Sequence, residues 1–400
     1  MLIWLLDRLT QCGYSVDLGP AVEKITFRGS AAAMLSFLAA LVLGPYLIGW
    51  LRRRFREPIV GDSQRLRELH ADKQSTPTMG GLFVVAGLVA GVAVFADLNN
   101  RLVQVGLFVL VGMAVVGAID DLSKLRGGRH GDHRGDHRGI SAPAKLLGQC
   151  LIATVAAWLV YQHHMHVSDG LLLHVPLVEQ PLVLGRLFIP LAVLVIVGAS
   201  NAVNLTDGLD GLAGGCMIFA CGAMAVVTYA AGHAELAAYL GVPRIPGAGE
   251  TAIMAAATIG AVMGFLWFNC HPAQVFLGDT GSLPLGGLLG FLAVATRQEL
   301  LLLVIGGVFV VEAASVILQV GYFKWRKRRI FLCAPLHHHF QFLGWPESKI
   351  VVRFWIASAL CAVLGIACLK LNVDEPTPQS QYQQPLVAGR TAPDVETKIK

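Results

Sequence analysis

An all-α polytopic membrane protein is the fold class this sequence predicts, and three observations predict it. Hydrophobic residues make up 55% of its 400 residues and charged ones only 14%, whereas soluble domains carry about 25% charged residues. Apolar stretches long enough to span a bilayer recur at 31–50, 79–96, 102–119, 146–162, 187–200, 211–231, 251–267, 283–296, 300–323 and 351–370, which makes about ten helices. Lys and Arg, finally, collect in alternate loops. A transmembrane domain over 31–370 follows, preceded by a lead-in over 1–30 and followed by a Pro/Gln-rich tail over 371–400 that reads as disordered.

Charge placement sets the orientation. Arg52, Arg53, Arg54, Arg56, Arg65, Arg67 and Lys73 follow the first span, Lys124 to Lys145 the third, and Lys324 to Arg329 the ninth, while the other loops hold isolated cations such as Arg101 and Arg244. Odd-numbered spans therefore end in the cytoplasm and both termini lie outside. Parity puts the loops 201–210 and 268–282, which lack Lys and Arg, on the cytoplasmic side too. Eight cysteines without a Cys-x-x-Cys pair read as small buried hydrophobes.

In chain order, the apolar Met1 to Leu6 is too short for a signal-peptide core, and no function is placed on the lead-in. Thr76 or Thr78 can cap the second span, Pro77 fixes its start, and Lys73 suits a phosphate there. The third span ends in Asp120 and Asp121, two carboxylates opposed by each other and by the helix macrodipole, a pairing that makes sense where a cation or a proton is handled. The repeat Gly131, Asp132, His133, Arg134, Gly135, Asp136, His137, Arg138 reads as a flexible insertion. Residues 163–186 form an external excursion compatible with a hairpin. Between spans five and six, Asn204, Asp207 and Asp210 crowd one loop; if helical, the two acids share a face.

The stretch 269–283 interrupts two apolar runs and is too polar for lipid. Glycines flank Asp279 and Thr280, Ser282 is a good N-cap for a helix beginning at Leu283, and a carboxylate beside a helix N-terminus reads as a phosphate-and-metal seat. Glu312 is the main acid inside an apolar run, and Gln319 is placed to face inward. His337, His338 and His339 could hold a transition metal or, as donors, a pyrophosphate.

Thr76 to Gly81, Asp120 with Asp121, Asn204 to Leu212, Phe276 to Ser282, and Pro335 to Phe340 together strongly resemble, in order and over about residues 30–370, the motifs of the bacterial polyprenyl-phosphate N-acetylhexosamine-1-phosphate transferases. The Pro-Leu-His-His-His-Phe form favours the muramoyl-pentapeptide branch over the one using UDP-N-acetylglucosamine. Gln341 departs from the acid usual after that motif, Ser75 replaces a usual glycine, and the Gly-Asp-His-Arg repeat lengthens the loop before Lys145.

The resemblance implies an enzyme of the bacterial cytoplasmic (inner) membrane with periplasmic termini. It would move phospho-MurNAc-pentapeptide from UDP-MurNAc-pentapeptide to undecaprenyl phosphate and release UMP. Mg²⁺ would be the cofactor, with Asp279 its chief ligand and Asp207 a nearby metal or nucleotide contact. One of Asp120 and Asp121 would take the lipid phosphate's proton or orient the phosphate, and which of them does so, like single against double displacement, stays open. Lys73, Lys124 and Lys145 would pair with phosphates, and His338 with His337 and His339 would hold the pyrophosphate. Thr78 and Asn204 would contact substrate, and Phe276, Asn269 and Asp210 would lie near uracil. Membrane lipids are further partners, a homodimer is compatible with the reading, and no nucleic acid is expected. A lipid-sugar transporter would explain the helices but not acids gathered on one face, and a zinc enzyme would want a motif such as His-Glu-x-x-His.

Overall fold

The structure, a computed structural model, describes residues 23–54, 76–127, 139–167, 170–173 and 182–369. Lys73, Ser75, the Gly-Asp-His-Arg repeat, most of the lead-in and the tail lie outside these residues. The described chain is almost wholly helical: α1 (Ile25–Arg54), α2 (Gly81–Phe95), α3 (Arg101–Gly127), α4 (Ala142–His164), α5 (Phe188–Thr206), α6 (Leu212–Gly232), α7 (Ala234–Leu240), α8 (Ala248–Asn269), α9 (Asp279–Ala295), α10 (Glu299–Ile305), α11 (Gly307–Arg326), α12 (Leu336–Phe342) and α13 (Glu347–Cys368). Among the described residues, 8 helices are long and apolar enough to cross a membrane, and α2 and α9 are shorter apolar helices. This is an all-helical membrane protein.

The bundle is built around α9, every residue of which is buried. It packs on α3, α5 and α2, while α8 lies against α1 and α6, and α13 covers α6. Small residues make this closeness possible: a Cβ on Gly81 would overlap the backbone of Gly281, and one on Gly117 would overlap the Asp279 carbonyl. Without a hydrophobic drive between helices in lipid, such backbone approach supplies the packing attraction.

The two ends of the bundle are fastened differently. At one, Arg28 of α1 makes a bidentate pair with Glu250 of α8 at 2.5 and 2.8 Å, and Glu250 also accepts the Asp97 N–H at 2.9 Å. The excursion after α4 does form an antiparallel pair, β1 (Leu172–Leu173) with β2 (Leu182–Val183). Its Leu172 carbonyl accepts from the buried Arg297, whose guanidinium lies over Phe188 and pairs with Glu299 at 2.9 Å. At the other end, α2, α3, α4, α5 and α9 begin or finish around the polar loops.

Five expectations at helix ends are corrected. Gly80, and not Thr76 or Thr78, is the N-cap of α2, with no side-chain cap bond. The helix after the 269–278 loop starts at Asp279 rather than Leu283, because Asp121 satisfies its first free N–H groups from outside. Ser282 is thus not an N-cap; its hydroxyl oxygen lies inside the first turn, 2.9 Å from the Gly278 carbonyl oxygen. α3 continues to Gly127, helped by the i,i+4 pair of Asp120 and Lys124 at 3.0 Å, so the paired acids sit within the helix and not at its terminus. Asp207 and Asp210 share no helical face, because α5 stops at Thr206 and a turn follows. The apolar run 300–323 is broken at Gly306 and Gly307 into α10 and α11.

Candidate active site

The loop between α8 and α9 is held like a short strand against the start of α2. Phe276 N–H bonds to the Pro77 carbonyl at 2.9 Å, and Gly80 and Gly81 donate to the Phe276 and Leu277 carbonyls at 2.8 and 2.9 Å. Gly278, at φ 72°, turns the chain into α9 in a conformation that a Cβ would strain. This turn delivers Asp279 beside the end of α3, where the carboxylates of Asp120, Asp121 and Asp279 offer oxygens within 4.8 Å of one another.

The adjacent aspartates of α3 share Lys124, which lies 3.0 Å from Asp120 and 3.7 Å from Asp121, and differ in their other partners. Asp121 accepts the Asp279 N–H at 3.2 Å, the Thr280 N–H at 2.9 Å and the Thr280 hydroxyl at 2.6 Å, capping α9 from a neighbouring helix. Asp120 accepts the Ile140 N–H at 2.8 Å and faces Lys124 at 3.0 Å and Lys145 at 3.4 Å. Lys124 also reaches Asp279 at 3.1 Å, and Lys145 pairs with the same Asp279 oxygen. Two cations and two carboxylates thus converge where α3, α4 and α9 meet.

Asp207, half-buried in the turn after α5, belongs to the same electrostatic unit. Burial pushes its carboxyl up to about 8, the negative charges of Asp279 and Asp121 push the same way, and a Gly278 backbone hydrogen bond opposes them. Carboxyls crowded to this degree favour an added positive charge, and their all-oxygen donor set suits a hard divalent ion such as Mg²⁺.

The other expected residues divide into those at the centre and those that shape it. Asn204 accepts the Ser282 hydroxyl at 2.8 Å. Thr78 is buried, close beside Gly278. Asn269 uses both ends of its amide to tie two loops together, accepting the N–H of Gly211, just before α6, at 2.9 Å and donating to the Val275 carbonyl of the loop after α8 at 2.8 Å. Phe276 is half-buried at the same loop. Asp210 accepts from the Ala273 N–H and faces His271 Nδ1, both at 3.1 Å, while Glu347 accepts the Asp210 N–H at 2.8 Å.

The three histidines also differ. His337 is buried, its Nδ1 3.0 Å from Glu312. His339 Nδ1 accepts the Leu332 N–H at 3.1 Å, bracing the chain that leads into α12. His338 stays half-exposed, its Nδ1 2.7 Å from Gln341 Oε1. Gln319 faces the loop before α12, bonding to the Ile330 and Phe331 N–H groups at 3.0 Å. Glu347 and His271 were given no role by the sequence: Glu347 opens α13 and His271 lies in the loop after α8, and only the fold brings them to Asp210.

Lysines and carboxylates thus gather at one end of a bundle of apolar helices, and residues 103–297 match the family model described as glycosyl transferase family 4. The chain is 48% identical over 351 residues to a phospho-N-acetylmuramoyl-pentapeptide-transferase of Nitratidesulfovibrio vulgaris, covering 87% of this chain and 94% of that protein. It is 42% identical over 394 residues to the Koribacter versatilis protein of the same name, covering 93% and 100%. The chain belongs to the phospho-N-acetylmuramoyl-pentapeptide-transferase family and is a transferase.

Proposed function

We propose that the protein transfers phospho-MurNAc-pentapeptide from UDP-MurNAc-pentapeptide to undecaprenyl phosphate, giving the lipid-linked product lipid I and UMP. The new bond joins an oxygen of the lipid phosphate to the sugar-bearing phosphorus; the bond from that phosphorus to the oxygen it shares with UMP breaks. The reaction belongs to the cytoplasmic face of the bacterial inner membrane, with ten spans and both termini periplasmic. The carrying observation is the convergence of Asp120, Lys124, Lys145 and Asp279 where three helices meet.

An anionic phosphate must attack an anionic pyrophosphate, so positioning and charge neutralisation are the main requirements. Lys124 and Lys145, which bond to carboxylates here, would turn their ammonium groups to the incoming phosphates. Asp120 is suited to orient the lipid phosphate or take its proton at Oδ2, because Asp121 is already bound to three donors of α9. Asp279 and Asp207 would hold Mg²⁺, which when bound neutralises pyrophosphate charge and stabilises the departing UMP. His338, half-exposed on α12, would donate to the pyrophosphate, and Phe276 would stack on uracil.

The test is UMP release by purified detergent-solubilised protein, with and without undecaprenyl phosphate, Mg²⁺ and the Asp279→Ala change. Release that requires all three supports the reading. Turnover of UDP-N-acetylglucosamine instead would move the chain to the other branch, and silence with both donors from folded protein would reject the reaction.

A further inference from the structure

Glu312 lies in the apolar run of α11, fully buried, as is its partner His337. Its two oxygens grip one residue: Oε1 accepts the His337 backbone N–H at 3.1 Å and Oε2 faces Nδ1 at 3.0 Å. A carboxylate has acceptors only, so it holds the imidazole with the proton on Nδ1. A charge so placed in a membrane helix is costly and calls for a specific use.

The rest of the ring points to that use. His337 Nε2 is buried with no hydrogen-bond partner among the described residues. It presses on Gly208, where any Cβ would overlap it. Gly208 directly follows Asp207, and the turn is closed by the Asp207 N–H on the Asn204 carbonyl at 3.3 Å and the Gly208 N–H on the Thr206 carbonyl at 2.9 Å. On its other side the ring lies 4.2 Å from that of His338. α12 has only 7 residues, too few to be rigid without outside support.

We propose that Glu312 is a positioning residue for the transfer reaction: through His337 it sets the Asp207 turn on one side and the His338 ring on the other. This rests on the transferase reading above. His337 is the wedge between two loops, and Glu312 fixes its depth, orientation and tautomer.

Glu312→Gln tests this while keeping the side chain's shape. The carboxamide oxygen can accept only one of the two His337 donors, and its NH₂ then faces Nδ1, driving the proton to Nε2 against Gly208. Expected are a fall in kcat of about 10- to 100-fold, a smaller change in KM for UDP-MurNAc-pentapeptide, an unchanged melting temperature, and a ¹⁵N-histidine spectrum reporting the Nε2–H tautomer. Because Glu312 acts through His337, Glu312→Gln combined with His337→Asn should be no slower than His337→Asn alone, within about twofold.

A Glu312→Gln protein that changes tautomer yet keeps wild-type kcat overturns the proposal, as do fully additive losses. A loss of kcat that only tracks a falling melting temperature overturns it too. Failure of the transferase reading is distinct, since it would silence the wild-type protein. In that case the spectrum of the wild type, with or without an Nδ1–H at His337, still decides whether Glu312 sets the tautomer.

Discussion

Asp120 and Asp121 are neighbours of identical chemistry, and their partners separate them. Asp121 is bound to the first turn of α9, so Asp121→Ala frees two N–H groups and a hydroxyl inside the protein. That should cost about 1–3 kcal/mol, visible as a lower melting temperature in detergent, and transfer should fall with it because Asp279 is the residue being capped. Asp120→Asn removes a charge facing two lysines while keeping its acceptor for Ile140. UMP release should drop at least about 100-fold with the melting temperature near wild type. Equal melting temperatures for the two variants would sink the division of labour. The sequence marked both residues as unusual and could not separate them, since the distinction lies in groups 20 and 158 positions away. Asn269 tells the same story: its residue type announced a polar site, and only the fold reveals that the two ends of its amide join the segment before α6 to the loop after α8.

At the scale of elements, α9 is held where backbones meet. Gly117 of α3 touches the Asp279 carbonyl, so Gly117→Ala must displace the start of α9. A displacement near 1 Å can cost about 100-fold in rate, and that loss is expected in UMP release from protein that still elutes as a single species. The bond between Arg28 and Glu250 stabilises the opposite end, joining α1 to α8. Glu250→Ala leaves a buried guanidinium without its carboxylate and should destabilise by about 3–5 kcal/mol, read as a reduced melting temperature, with kcat of the folded fraction unchanged. Span positions were legible because each is a long apolar run between polar loops. Their ends were less so: the start of α9 depends on a cap from another helix, and the break at Gly306 falls within an unbroken apolar run.

For the molecule as a whole, orientation decides whether the centre faces the compartment in which a nucleotide-sugar is found. Charge bias alone orients the loops rich in Lys and Arg; the loops 201–210 and 268–282 carry neither, and sequence assigned them a side only by counting spans. That count is fragile, because α9 has 17 residues and so is about 25 Å long, short for a hydrocarbon core of about 30 Å. The geometry supplies an independent argument. Asp279, from one of these loops, pairs with Lys124 and Lys145, which flank one of the basic loops, and Asp207, from the other, lies close enough to Asp279 and Asp121 to feel their charge, so these segments share an end of the bundle. The hairpin held by Arg297 lies at the far end of α9. Among the described residues Cys270 is the one exposed cysteine, which makes the native loop its own reporter. With Cys12 and Cys333 replaced by serine, a membrane-impermeant maleimide should label Cys270 in inverted vesicles and leave it unlabelled in spheroplasts. Asn99→Cys, in the exposed turn before α3, should give the opposite pattern once Cys270 is also replaced by serine. Labelling of Cys270 from outside would place the aspartates and lysines away from the cytoplasm, where a UDP-linked donor could not reach them, and would remove the proposed reaction together with the proposed topology.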